Sequence, residues 1–152
     1  EKIRNEANQE EEMFFPWGIH NVKGKTVELP LLHESSGTQS AFVLLSRLLV
    51  VLQNGGIAVI DELENDLHPE MLTPILDLFF SPNTNPKNAQ LIFTCHATSI
   101  LNQFDKGQIL LVEKDADCES HTWRLDSVKG VRADDNFYAK YMAGAYGAVP
   151  QI

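Results

Sequence analysis

The sequence predicts an α/β domain in which a mainly parallel sheet is flanked by helices. Two observations support this fold class: the short apolar runs at 57–60 and 91–93 are typical of buried parallel strands, and they alternate with longer helical patterns. The chain has 152 residues, 43% hydrophobic and 22% charged, which suits a globular domain with its own core. In such sheets ligands bind beyond the carboxyl ends of the strands, so the residues that follow each strand matter most.

The first third of the chain is predicted to hold a polar start, a hairpin and a long helix. Residues 1–12 are polar and charged, which indicates a linker or the end of a helix. Residues 13–32 alternate in polarity between turn residues and favour a β-hairpin or a β-meander. Residues 38–53 form a helix in which ten of the twelve residues from 41 to 52 are apolar, so we expect burial on nearly all sides. Asn54-Gly55-Gly56 ends this helix.

The remaining elements follow the two apolar strands. A helix is predicted to begin near Pro69. His68, directly before it, is equally compatible with a structural role at the helix start and with a ligand-binding role. A loop is predicted over 81–88. The later elements are a helix over 97–104, a strand over 108–112 that pairs with 121–125 through a polar turn, a helix over 135–142, and a tail broken by Gly and Pro.

Composition excludes several classes of protein. The net charge of −9 argues against nucleic-acid binding by this chain, since phosphate contacts need clustered Lys and Arg. Two cysteines, Cys95 and Cys118, are too few for a disulfide scaffold and favour a reducing, cytoplasmic setting. No signal peptide is visible, and the longest apolar stretch falls short of the ~20 residues that span a bilayer, so we expect no membrane contact. The chain opens on Glu rather than Met, so we expect a segment of a longer protein.

Acidic and imidazole side chains follow the two apolar strands. Asp61 and Glu62 come directly after the first strand, and His96 follows the second. Adjacent side chains that leave a strand point in different directions, so one acid can hold a metal while the next orients a water. A histidine nearby can donate to a phosphate oxygen, and this division of labour serves nucleotide hydrolysis. A single acid after a strand is more often a cap or turn residue, but the combination favours function.

The turn before the long helix has the composition of an anion site. Ser36-Gly37-Thr38 opens the helix, so the free N–H groups and the positive end of the helix dipole point out of the turn. Gly37 lets a ligand approach the backbone, while the Ser36 hydroxyl and the Gln39 amide add hydrogen bonds. The alternative is plain N-capping by Ser36.

Three motifs, in order, resemble those of ATP-binding-cassette (ABC) ATPases. "SSGTQ" at 35–39 is similar to the signature loop, with Thr38 where a second glycine is usual. "IAVIDE" at 57–62 resembles the Walker B strand, and "IFTCH" at 92–96 ends in a counterpart of the switch histidine. "DELENDLHP" and "YGAVPQI" are similar to the soluble SMC- and RecF-like branch, which includes ATPases of bacterial anti-phage and overcoming-lysogenisation-defect systems. Residues 13–152 thus resemble the C-terminal lobe of an ABC-type, P-loop NTPase-like domain.

The resemblance implies a role for each motif in ATP hydrolysis. Asp61 would serve Mg²⁺, Glu62 would polarise the attacking water, and His96 would contact the γ-phosphate. Ser35 to Gln39, with Ser36 and Gly37 foremost, would bind the γ-phosphate of ATP held by a second subunit. In this family the site is completed across a head-to-tail dimer, so the implied partner is a second copy of the ATPase.

A phosphate-binding loop of the form GxxxxGK[ST] is absent from the chain. The one GKT sequence, Gly24-Lys25-Thr26, is followed by a strand pattern, whereas a phosphate-binding loop must open a helix. We therefore expect that loop in a missing N-terminal lobe and expect this chain alone to be inactive. A nuclease or toxin partner and DNA binding by the parent protein are compatible with the residues, although the acidic balance gives DNA contact no support.

Two rival functions stay open. A metal-dependent nuclease of Toprim type would use Glu113, Asp115 and Asp117 after a strand, although a polar hairpin turn explains them better. A non-catalytic dimerisation or partner-binding module with a decayed site is the third interpretation, and the intact Asp61-Glu62 pair speaks against it. The C-terminal tail is expected to pack on the sheet edge, with partner docking as the alternative.

Overall fold

The structure, a computed structural model, describes residues 2–4, 10–12 and 14–149 of the chain. The chain divides into two compact units, residues 1–93 and 94–152. Within the described residues, the strands pair in four two-stranded sheets, of which one is parallel and three are antiparallel. The predicted mainly parallel sheet is therefore wrong in its pairing. The three antiparallel pairs have connections too short for a crossover, so only one pair can be parallel.

Unit 1 begins with two antiparallel pairs. β1 (Lys2–Arg4) pairs with β2 (Glu10–Glu12), so strands occupy the described part of the stretch for which a linker or helix end is predicted. The remainder of that stretch, residues 1 and 5–9, and Met13 of the predicted hairpin lie outside the described residues. The division of the chain at residue 12 stays a prediction.

The predicted hairpin is confirmed. β3 (Trp17–Val22) and β4 (Lys25–Pro30) are joined by two residues with left-handed backbone, Lys23 at φ 52° and Gly24 at φ 76°. Left-handed geometry at both central residues matches the twist of the strands and is the reason for glycine there. Gly24-Lys25-Thr26 therefore leads into a strand, as predicted, and not into a phosphate-binding helix.

Helix α1 (Ser36–Asn54) agrees with the predicted helix within two residues at either end. It ends where Gly55 takes a left-handed φ of 70°, as the Asn-Gly-Gly sequence predicts. The expected burial on nearly all sides is wrong. Only a narrow stripe is buried, and it consists of Ala41, Leu48 and Leu52. Apolar side chains on other faces stay about half exposed, because a two-stranded sheet covers only one side of a helix.

The parallel pair is formed by β5 (Ile57–Ile60) and β6 (Gln90–Phe93), with Ile57 opposite Gln90 and Ile60 opposite Phe93. The crossover contains a 3-10 helix that begins at Pro69 and then α2 (Leu72–Phe80), which buries Leu72, Ile75 and Leu76. The predicted loop 81–88 is held by buried Asn85, whose side chain exchanges hydrogen bonds with the Ala89 backbone at 2.9 and 2.7 Å.

The expectation that both apolar strands are fully buried is also wrong. Side chains on one face of the β5–β6 pair remain exposed: Ile57 by 61%, Val59 by 75% and Ile92 by 56%. The opposite face carries Ala58 and Ile60, and both line a cleft with residues of α1. One helix covers one face, and no described element of unit 1 buries the other.

Unit 2 packs a hairpin, a helix and the tail around one core. A 3-10 helix (Thr98–Gln103) lies within the predicted helix, β7 (Leu110–Lys114) pairs antiparallel with β8 (Ser120–Arg124), and α3 (Phe137–Met142) follows. The core of unit 2 consists of Ile109, Leu111, Leu125, Phe137 and Tyr146. Among the described helices, none combines the length and apolar character needed to cross a membrane.

The described part of the C-terminal tail is fixed by polar contacts to the hairpin and to α3. Trp123 Nε1 donates to the Tyr146 carbonyl at 3.2 Å, and the Tyr141 hydroxyl donates to the Ala148 carbonyl at 2.6 Å. The Ala148 N–H donates to Glu113 Oε2 at 3.2 Å. These contacts agree with the packing role favoured for the tail, whose last residues, 150–152, lie outside the described part of the chain.

Candidate functional site

The carboxyl ends of β5 and β6 lie at the same edge of unit 1 because the two strands are parallel and in register. Asp61 and Glu62 leave β5 at that edge, and both side chains are exposed. His96 is the third residue after β6 and belongs to unit 2, where it is also exposed. The strand pairing thus puts the two predicted acids at the edge where ligands of parallel sheets bind.

The backbone at Glu62 is unusual. Its φ of 51° lies in the left-handed region, and Asp66 four residues later has φ 59°. Aspartate tolerates this conformation through local hydrogen bonding, whereas glutamate adopts it rarely. Non-glycine residues in such regions persist only where their surroundings enforce them, and they cluster at functional sites. Leu63 is 2% exposed and anchors the segment between them.

The turn at the start of α1 is capped by Ser35. Ser35 Oγ accepts a hydrogen bond from the Thr38 N–H at 3.2 Å and lies 2.8 Å from the Thr38 hydroxyl. The alternative of capping by Ser36 is therefore wrong by one residue. The Ser36 side chain is exposed, and the N–H groups of Ser36 and Gly37 have no acceptor among the described residues. These two amides are the donors that an anion would find here.

The side chain of Gln39 makes hydrogen bonds within the protein. Its side-chain amide donates to the carbonyls of Glu34 at 2.8 Å and Leu32 at 3.3 Å. These donors are therefore engaged in fixing the segment before α1. A glutamine after a helix start signals a polar contact, but the sequence does not show whether that contact is with a ligand or with the protein.

The turn Ser35–Gln39 and the segment after β5 are in direct contact. A β-carbon built on Gly37 would lie 3.1 Å from the Asp66 carbonyl oxygen, which is closer than ordinary packing. Gln39 and Asp61 also line the same cleft of about 700 Å³ between α1 and β5. The structure thus brings together two of the three predicted motifs within unit 1. The Gly37–Asp66 contact has no signal in the sequence, because it depends on the path of the chain after β5.

His68 has a structural role in the described contacts. Its Nδ1 accepts a hydrogen bond from the Glu70 N–H at 3.3 Å and so caps the 3-10 helix that precedes α2. Pro69 occupies the first position of that helix, where no N–H donor is needed.

Asp115 and Asp117 lie in the polar hairpin turn that the sequence favours, whereas Glu113 belongs to β7. Asp115 Oδ1 accepts the N–H groups of Asp117 and Glu119 at 2.9 Å each, and Oδ2 lies 2.8 Å from His121 Nε2. The hydrogen bond with His121, followed by those from the backbone, holds the pKa of Asp115 below its usual value. Glu113 Oε2 accepts the Ala148 N–H of the tail, so its carboxylate is directed away from the turn that holds Asp115 and Asp117.

A different trio lies at the tip of the β7–β8 hairpin. Ligand atoms of Asp115, Glu119 and His121 lie within 4.8 Å of one another, and all three residues are exposed. Neither Glu119 nor His121 is identified by the residue pattern. The register, in which His121 lies opposite Glu113, brings them to Asp115, and a register cannot be read from the residue pattern of this turn alone.

The parallel β–α–β crossover and the two acids after its first strand lie in the part of the chain that a family model matches. The chain belongs to the family described as "AAA domain, putative AbiEii toxin, Type IV TA system", which matches residues 4–102. The match includes Ser35–Gln39, Asp61-Glu62 and His96, and ends before the carboxylates of the β7–β8 hairpin. A search of curated proteins found no match. AAA domains generally bind and hydrolyse ATP with Mg²⁺, and the family carries the P-loop NTPase-like fold.

Proposed function

We propose that this chain supplies the signature loop, the Walker B acids and the switch histidine of a dimerising ABC-type ATPase of the SMC- and RecF-like branch. One observation carries the proposal: the turn Ser35–Gln39 packs against the segment that follows Asp61-Glu62, in contact at Gly37 and Asp66. The turn and the segment after Glu62 are distant in sequence, so this tertiary contact places the proposed signature loop next to the segment that follows the proposed Walker B acids.

The exposed carboxylate of Asp61 suits Mg²⁺, which prefers oxygen ligands and retains several waters. The metal, when bound with ATP, would neutralise charge on the phosphate oxygens. Glu62 would orient and polarise the attacking water, and its left-handed backbone would set the direction in which the side chain leaves the strand end. Each acid would thereby have a separate role, because adjacent side chains after a strand point in different directions.

The amides of Ser36 and Gly37 would bind the γ-phosphate of ATP that a second copy holds. They are the uncommitted donors of the first turn of α1, where the positive end of the helix dipole adds to their attraction for an anion. Gly37 leaves room for a phosphate to approach the backbone. His96 would contact the γ-phosphate from the loop after β6.

The missing N-terminal lobe would cover the exposed apolar faces of unit 1. Parallel strands are ordinarily buried on both faces, yet Ile57, Val59 and Ile92 are more than half exposed. A helix that is apolar all round is ordinarily buried as well, and α1 is covered on one side only. Both features fit a chain whose remaining cover, with the phosphate-binding loop, lies in another segment of the parent protein.

ATP turnover by the full-length parent protein and its Glu62→Gln variant tests the proposal. Loss of the base removes water activation, and general-base effects are worth about 10²- to 10⁴-fold, so turnover should fall at least about 100-fold. The variant should still bind ATP and should accumulate as a dimer. Glu70→Gln, an exposed glutamate at the start of the crossover helices, is the matched control and should leave turnover unchanged.

Two results would contradict the proposal. Turnover by Glu62→Gln at the rate of the natural protein would remove Glu62 from catalysis. Absence of turnover in both proteins would mean that the three motifs have no catalytic role.

A further inference from the structure

The segment directly before α1 is held by a hydrogen bond from the β3–β4 hairpin. His20 Nε2 lies 2.5 Å from Glu34 Oε1, and because a carboxylate only accepts, the imidazole N–H donates. The Glu34 side chain is 9% exposed, whereas that of His20 is 47% exposed. A largely buried carboxylate is costly without a hydrogen-bond partner, so the bond from His20 fixes the place of Glu34.

Gly18 provides the space for this hydrogen bond. Gly18 and His20 are two residues apart in β3, so they face the same side of the hairpin. A β-carbon built on Gly18 would overlap Glu34 Oε1 and would lie 3.1 Å from His20 Nε2. The lack of a side chain at Gly18 therefore lets the Glu34 carboxylate approach the strand and reach the imidazole.

The backbone of Glu34 is fixed as well. Its N–H donates to the Leu31 carbonyl at 3.0 Å, and its carbonyl accepts the side-chain amide of Gln39 at 2.8 Å. Ser35, the N-cap of α1, follows directly in the chain. Because consecutive residues share a peptide bond, the position of Glu34 sets that of Ser35 and thus the direction of the first N–H groups of α1.

We propose that His20 and Glu34 are positioning residues that hold the turn Ser35–Gln39 in the orientation that binds the γ-phosphate. This inference rests on the proposed function, in which the amides of Ser36 and Gly37 bind that phosphate. His20 acts through Glu34, whose backbone leads into the turn. The same hydrogen bond directs the Glu34 carboxylate to β3, and a carboxylate aimed at the anion site would repel phosphate.

Steady-state ATP turnover by the full-length parent protein and its His20→Ala and His20→Gln variants tests this role. Misplacement of a binding group by about 1 Å can cost about 100-fold in rate, so kcat of His20→Ala should fall at least about tenfold. KM for ATP should change much less, because the loop that holds ATP lies elsewhere in the parent protein. His20→Gln retains an N–H donor and should restore most of the lost turnover.

Two further variants complete the experiment. His33→Ala is the matched control, since this exposed histidine directly precedes Glu34 and its side chain makes no hydrogen bond to another described residue. Its kcat should equal that of the natural protein. Gly18→Ala retains both polar partners but displaces the Glu34 carboxylate, so it should lower kcat as His20→Ala does. Circular dichroism at the assay temperature checks that each variant is folded.

The outcomes separate this inference from the proposed function. Unchanged kcat in folded His20→Ala and Gly18→Ala would overturn the positioning role, even if both variants unfold at lower urea concentrations. Loss of turnover that His20→Gln does not restore would overturn it as well, because the hydrogen bond would not be the cause. Both results would leave the role of Glu62 intact, since Glu62→Gln tests that role separately. Absence of turnover in the natural parent protein would overturn both.

Discussion

At the scale of single residues, the backbone after β5 determines where Glu62 points. Left-handed backbone at a residue other than glycine costs on the order of 1–3 kcal/mol, and this segment contains it at both Glu62 and Asp66. Two features offset the free-energy cost of this backbone: the Leu63 side chain is buried, and the Asp66 carbonyl packs against Gly37. Gly37 therefore has a role besides admitting a ligand, since the lack of a side chain lets the loop close on α1.

Gly37→Ala tests that role. The added methyl group would lie 3.1 Å from the Asp66 oxygen, so the loop must move by a few tenths of an ångström. Overpacking costs about 1–3 kcal/mol, which exceeds the gain of up to about 1 kcal/mol from replacing glycine in a helix. We expect a net loss in the free energy of unfolding by urea, and chemical-shift changes concentrated in the amides of residues 62–67.

Gly56→Ala is the matched control for that prediction. A β-carbon there would meet only Val51 Cγ1, at an ordinary 3.9 Å. Its effect on stability should stay within about 0.5 kcal/mol, as for substitutions that meet no tight contact. Equal losses of stability from the two substitutions would contradict packing of the loop against Gly37. Chemical-shift changes in Gly37→Ala that do not include the amides of residues 62–67 would contradict it as well.

At the scale of elements, the bounds of α1 are predictable from local sequence patterns, whereas its burial is not. The bounds of α1 follow from local signals, namely the serines before it and Asn-Gly-Gly after it. Its burial does not, because burial depends on which elements the rest of the protein provides. The same holds for β5, whose apolar residues predict a strand but not the exposure of Ile57 and Val59.

Ser35 is the N-cap of α1 and should stabilise this helix. Ser35 Oγ accepts the Thr38 N–H, and substituting such a cap by alanine costs about 1 kcal/mol. Ser35→Ala should lower the free energy of unfolding by that amount, measured by urea denaturation. Ser36→Ala is the control, since the Ser36 side chain is exposed and caps nothing, and it should change stability by less than about 0.5 kcal/mol. The reverse order of effects would restore Ser36 as the cap.

At the scale of the whole molecule, the sequence predicts the elements better than their pairing. Strands near 57–60, 91–93, 108–112 and 121–125 are all confirmed within two residues. Residues 108–112 pair with 121–125, as predicted, because a short turn joins them, but they do not extend a parallel sheet in the described structure. Strand identity is local, whereas pairing depends on connection length and on competing partners.

In the candidate site too, local features are predictable from the sequence and tertiary contacts are not. Asp61 and Glu62 are predictable because an apolar strand delivers them to a sheet edge, where the structure places them. The contact between Gly37 and Asp66, and the hydrogen bond from Gln39 to the Glu34 carbonyl, depend on the path of the chain and not on a motif. The trio at the tip of the β7–β8 hairpin likewise follows from a register and not from a motif.

The isolated 152 residues should not turn over ATP. Hydrolysis requires a loop that holds the β- and γ-phosphates, and the one GKT sequence of the chain lies in a β-hairpin. Asp61, Glu62 and the α1 amides would then have no correctly held phosphate to act on. Phosphate release by the purified chain should equal that of its Glu62→Gln variant at every ATP concentration. Turnover that Glu62→Gln abolishes would instead show that these residues form a complete site without another lobe.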